Sequence, residues 1–201
     1  MLCQTDYIIL RKIPFQESSL IVSGLSPDYG RLDFLLKGAR GTGAKKFPYA
    51  GLFRELTVEF RENPSGSGLL YMKSQEPKSS FDSIADFPEN YIRLCAWVQF
   101  LLRHTRPMLA VRQTYAALRL ALARLSSGGG EFQLAAAELV FLQESGFVPE
   151  TAGNDPEKEL LLKQTLDHAV DPDCPEPAAS PEKREQLIRW IRSLSGNADS
   201  Y

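Results

Sequence analysis

The stretch Leu35–Phe47, LLKGARGTGAKKF, gathers three glycines, one arginine and three lysines into thirteen residues, directly after an apolar run. Glycine admits positive φ and close backbone approach, while Lys and Arg attract anions. The chemistry on offer is phosphate binding, either of a nucleotide or of a nucleic-acid backbone. A nucleotide loop needs G-x-x-x-x-G-K-[ST], so that the lysine reaches the phosphates and the hydroxyl reaches magnesium. Gly38 and Gly43 have that spacing, but Ala44 separates Gly43 from Lys45, and Lys46 stands where a hydroxyl is required. The residues that follow, FPYAGLF, do not open a helix, so chemistry and context both exclude the nucleotide.

Nucleic-acid phosphates need cations and backbone N–H groups but no strict spacing. Lys37, Arg40, Lys45 and Lys46 supply the cations within the loop, and Arg11, Lys12 and Arg31 extend the patch from neighbouring strands. Tyr7, Phe34, Phe47, Tyr49 and Phe53 are interleaved, and any that are exposed could stack on bases. The alternative is that the cations solvate a surface loop and the aromatics fill a core. Arg112 and Arg119, seven residues apart, share one flank of a helix and form a possible secondary basic face. That flank could meet phosphates, an acidic peptide or only solvent.

Nothing in the chain reads as catalytic. His104 and His168 are isolated, and no HExxH or DxDxDG motif occurs. Cys3, Cys95 and Cys174 are scattered without a CxxC pair, which argues against a metal site and a disulfide framework. Cys95 falls in an apolar helical pattern as a small core residue. No metal or other cofactor is expected.

The elements that must position the loop divide the chain in two. TDYIILRKI, SLIVSGLS, RLDFLLK, LFRELTVEFRE and LLYMKSQE are rich in β-branched and aromatic residues and are separated by turn signals such as PDYG and NPSGSG. In the fourth, Leu56, Val58 and Phe60 point one way, while Glu55, Thr57, Glu59 and Arg61 point the other. Five short strands in this rhythm predict a small antiparallel barrel. From about Phe81 the period becomes helical: Tyr91, Leu94, Val98 and Leu101 share one face, and Val111, Tyr115, Leu118, Leu122 and Leu125 another. A third helix runs through Leu134–Leu142 to SGFVPE. Asp155-Pro156 and Ser180-Pro181 each pair an N-cap residue with proline at the first helical position and open two more. The expected fold is α+β, with a barrel over 1–79 and an α-helical domain over 80–201.

Over its 201 residues the chain is 43% apolar and 24% charged, the composition of an ordinary globular protein. No run of about 18 apolar residues suggests a membrane span. The N-terminus lacks the basic and apolar regions of a signal peptide, so a cytoplasmic location is expected. The net charge of −2 hides a split. Residues 1–80 carry 11 Lys and Arg against 8 Asp and Glu, and residues 81–125 carry 6 against 3. Residues 126–201 carry 6 against 14, an acidic end beside a basic working surface.

YIILRKIPFQESSLIVSGLSPDYGRLDFLLKGARG resembles the opening of the bacterial recombination mediator family RecO. The matching elements are Leu10-Arg11, Glu17-Ser18, Gly30-Arg31 and Lys37-Gly38-Ala39-Arg40, and AAAELVFLQESGFVPE resembles a later helix of that family. The resemblance implies an OB-fold followed by a helical domain, acting in recombinational repair (the RecF pathway) without covalent chemistry. It implies binding of single- and double-stranded DNA, strand annealing, and loading of recombinase on DNA coated by single-strand DNA-binding protein, together with RecR. Association with the nucleoid when active goes with that role. By resemblance Arg11, Arg31, Lys37 and Arg40 contact DNA, and charge alone adds Lys45 and Lys46. Many members carry a four-cysteine zinc module after the Gly-aromatic-x-Pro helix end. ETAGNDPEKELL stands there instead, so no zinc is expected. The rival reading is a scaffold or adaptor whose barrel and helices bind protein. A nuclease would require clustered metal-binding carboxylates.

Overall fold

A computed structural model of the protein describes residues 2–40, 47, 49–61, 68–149 and 155–198. The chain divides into two compact units, one of residues 1–83 and 98–112, the other of residues 84–97 and 113–201.

The first unit is the barrel. Its strands are β1 (Leu2–Phe15), β2 (Ser19–Ser26), β3 (Gly30–Leu36), β4 (Arg54–Arg61) and β5 (Met72–Ser80), all paired antiparallel in the order β3-β2-β1-β4-β5. The long β1 serves two partners. Leu2–Ile8 pair with β4, and Ile8–Phe15 pair with β2, with a register shift between Ile9 and Arg11. Just ahead of β5, Leu70 closes the ring. The Leu35 N–H donates to the Leu70 carbonyl at 2.9 Å, and the Leu70 N–H donates to the Asp33 carbonyl at 2.9 Å. The circuit is therefore β1-β2-β3-β5-β4-β1, closed between β3 and the approach to β5 by a single bridge of Phe34 and Leu70.

Alternation along each strand sends Ile9, Val22, Leu32, Phe34, Leu36, Leu56, Val58 and Phe60 inward. Edge-to-face contacts join Tyr7 to Phe34 at 5.1 Å and Phe34 to Phe60 at 5.5 Å. Tyr7 is fully buried and donates to the Leu32 carbonyl at 3.0 Å. Burial first, and the Asp33 carboxylate second, push its phenol well above the usual value, so it remains a neutral donor. Glu55 lies with the outward set but is not exposed to solvent. It is 1% exposed on the outer side of β4, where the Lys78 ammonium lies 3.8 Å from it and 2.6 Å from Asp6. A buried carboxylate needs such a cation, because charge out of water is costly unless paired.

The PDYG turn between β2 and β3 is gripped by residues 106–112. The Met108 N–H donates to the Tyr29 carbonyl at 2.8 Å and the Val111 N–H to the Pro27 carbonyl at 2.9 Å. Gly30 has φ +61°, and a Cβ there would sit 2.3 Å from the Leu109 carbonyl oxygen. Only glycine fits. The hairpin turn expected at NPSGSG lies almost wholly outside the described residues.

The second unit is helical. α1 (Pro88–His104) contributes its first ten residues to it, followed by α2 (Arg112–Ser126), which enters it at Gln113, α3 (Glu131–Glu144), α4 (Pro156–Val170) and α5 (Pro181–Ala198). α3 is apolar nearly all round and is the central helix, packed against α4 and α5. The Glu144 carboxylate, at the end of α3, accepts from the Gln113 and Thr114 N–H groups and so caps the start of α2. Asp155 caps α4 by accepting from the N–H groups of Glu157 and Lys158, with Pro156 following it as expected.

Gly24 gives the sharpest test of the barrel. A Cβ there would lie 2.0 Å from the Ile8 carbonyl and 2.6 Å from the Tyr7 ring. Gly24→Ala is expected to cost about 3 kcal/mol by overpacking, read as a lowered midpoint in urea unfolding. A cost under about 0.5 kcal/mol, the size of an ordinary surface change, would contradict this packing.

Candidate nucleic-acid interface

The loop that follows β3 is fixed at its start. Gly38 takes φ +74°, which turns the chain sharply after Lys37. Ala39 packs against the barrel core. The Arg40 N–H donates to the Ser18 carbonyl at 2.8 Å, and its guanidinium reaches the Gln16 carbonyl at 3.5 Å. The Glu17-Ser18 and Lys37–Arg40 elements, twenty residues apart in sequence, thus share one end of the barrel. The backbone is tied down while the Lys37 and Arg40 side chains are exposed. The Lys37 ammonium lies 5.2 Å from the centre of the Tyr71 ring. Arg11, on β1, is also exposed and donates to the Ser23 hydroxyl at 3.2 Å. Among the described residues, none of Arg11, Lys37 and Arg40 pairs with a carboxylate. Lys45 and Lys46 lie outside the described residues.

Arg31 sits differently from its motif neighbours. Its Nε donates to Asp33 at 3.0 Å, its Nη2 to the other Asp33 oxygen at 3.3 Å, and its Nη1 to the Leu102 carbonyl at 2.9 Å. The guanidinium fork is spent on joining β3 to the 98–112 segment within the first unit. Arg112 is exposed but reaches Asp28 at 2.8 Å, and Arg119 is exposed on α2.

The aromatic candidates separate as well. Tyr7, Phe34 and Phe53 are buried and cannot stack on a base, while Phe47 and Tyr49 are half-buried against the core. Tyr71, passed over in the sequence, is 55% exposed. The signal was available in LLYM: Leu70 and Met72 point inward, so the residue between them points out.

The remaining reactive side chains have structural settings. His168 is buried, with Arg124 Nη1 at 3.0 Å from its Nε2 and the Cys174 carbonyl at 2.9 Å from its Nδ1. Arginine can only donate, so Nε2 accepts and Nδ1 carries the proton. Burial pushes the Cys95 thiol up, away from a reactive thiolate. Among the described residues, no three His, Cys, Asp or Glu side chains gather to hold a metal ion. No helix there is long and apolar enough to cross a membrane.

A five-stranded barrel closed in this order, with a cationic loop at one end, defines an OB-fold, a class that binds oligonucleotides and oligosaccharides. Residues 1–81 match the family model for the N terminal region of recombination protein O, so this barrel is similar to the N-terminal domain of that family. That agrees with the resemblance read from LLKGARG and its companion motifs. No curated protein matches the chain.

The two kinds of cation predict separate outcomes. Arg31→Ala should destabilise the fold by about 1 kcal/mol through lost charged hydrogen bonds. Lys37→Ala should leave the thermal midpoint unchanged. Calorimetry on both variants checks this, and equal midpoints for the two would contradict the assignment of Arg31.

Proposed function

We propose that this protein is a non-enzymatic DNA-binding recombination mediator whose grip on DNA lies at the Lys37–Arg40 loop. The observation that carries this reading is a rigidly held loop with unpaired cations, placed on a barrel of the RecO N-terminal kind. Phosphates are the ligands such cations select. Arg11 on β1 and Lys45 and Lys46 further along the loop extend the contact, while Arg31 serves the barrel.

The mechanism needs no covalent step. Two DNA strands repel through their phosphates, and a surface that neutralises several of them lowers the barrier to pairing. Holding single strands in this way fits annealing of complementary strands and help in loading recombinase onto DNA covered by single-strand DNA-binding protein, with RecR as the working partner. Protein contacts on this reading belong to the helical unit. There a groove of about 810 Å³ between α4 and α5 is lined by Leu160, Leu161, Leu187 and Trp190, together with the ion-paired Asp155, Glu157, Lys158 and Lys183.

That groove also favours the second reading, an adaptor that binds only proteins. Salt dependence separates the two. If Lys37, Arg40, Lys45 and Lys46 each neutralise one phosphate on single strands, log K falls with log salt at a slope of about −2.8. Lys37→Ala with Arg40→Ala should weaken binding to both single and double strands and flatten the single-strand slope by about 1.4. Fluorescence anisotropy across a salt series measures both. An unchanged slope would place the contact elsewhere, and absence of DNA binding at low salt would leave the adaptor.

A further inference from the structure

Among the large apolar side chains exposed on the barrel in the described residues, Tyr71 has a cation over its ring. The ring is 55% exposed, and Lys37 Nζ lies 5.2 Å from its centre. Its backbone is rigid on both sides. Leu70 exchanges two hydrogen bonds with β3, and Met72 is buried and paired with Phe60. A flat ring on stiff backbone loses little freedom when something stacks on it, which is how a preorganised binding surface is built.

An exposed ammonium–ring contact is weaker than the stacking of a nucleic-acid base on an aromatic side chain. A base that displaces Lys37 from the ring leaves the ammonium free to take that nucleotide's phosphate, so the exchange satisfies both groups. A duplex cannot use this arrangement, because its bases are stacked and paired and only its backbone is on offer. Leu2 and Ile13, also exposed on the barrel, have no π-face to offer a base.

We infer that Tyr71 and Lys37 form a single-strand subsite, in which one unpaired base stacks on the Tyr71 ring while Lys37 holds its phosphate. This rests on the DNA-binding reading above and adds strand preference to it. The phenol hydroxyl plays no part, so Tyr71→Phe should behave as wild type.

The test compares wild type, Tyr71→Ala and Tyr71→Phe by anisotropy on three probes of equal length: a single strand, its duplex, and a fully abasic single strand. Circular dichroism confirms that the variants are folded. Tyr71→Ala should lose about tenfold in affinity for the single strand, equivalent to about 1.4 kcal/mol. It should match wild type on the duplex and on the abasic strand, where no base is present to stack. Wild-type affinity of Tyr71→Ala for the intact strand would overturn the subsite, and so would an equal loss on all three probes. Failure of wild type to bind any probe would overturn the DNA-binding reading and the subsite together. Binding of all three probes with no effect at Tyr71 overturns the subsite alone.

Discussion

The two hydrogen bonds between Leu70 and β3 are the constraint on which the barrel depends. Without them the five strands form a sheet in the order β3-β2-β1-β4-β5 with two outer strands. With them the sheet rolls onto itself and the Phe34 and Phe60 rings pack against one another. The same closure has a functional consequence. It brings the end of β3 alongside the start of β5, so that Lys37 and Tyr71, far apart in sequence, stand side by side on the outside. A core requirement and the proposed binding surface thus come from one piece of backbone geometry.

The basic residues divide their work according to what surrounds them. Arg31 has a carboxylate within reach on its own strand and a carbonyl facing it from the 98–112 segment, and the planar guanidinium satisfies both. Lys37 and Arg40 leave the barrel on a glycine turn that points their charges at solvent. An arginine that is already bonded must break those bonds to take a phosphate, whereas Lys37 gives up only hydration and a weak contact with the Tyr71 ring. Proximity in a motif therefore does not imply a shared role, and Gly30-Arg31 is better understood as the joint that holds residues 106–112 against the β2–β3 turn.

Much of this was legible in the residues. Period-two alternation in RELTVEF and the turn at PDYG require strands, the period near 3.6 after Phe81 requires helices, and Asp155-Pro156 and Ser180-Pro181 mark helix starts that the structure places at the same residues. What escaped was decided by contacts distant in sequence. Glu55 is buried because Lys78, on another strand, offers it a cation. Arg31 is engaged because Leu102 returns to it from a helix 71 residues later. Tyr71 stayed hidden because a strand read as alternating does not say which outward residue meets a cation. Composition counts charges, but only the fold assigns their partners.

On the proposed reading, DNA is held at the end of the barrel where the β3 loop and the approach to β5 meet. Backbone amide NMR with a short single-stranded oligonucleotide tests it most directly. The largest shift changes should fall on Gly38, Ala39, Arg40 and Tyr71, with the amides of α4 and α5 unmoved. Changes concentrated on α4 and α5, with the Gly38–Arg40 amides silent, would contradict it.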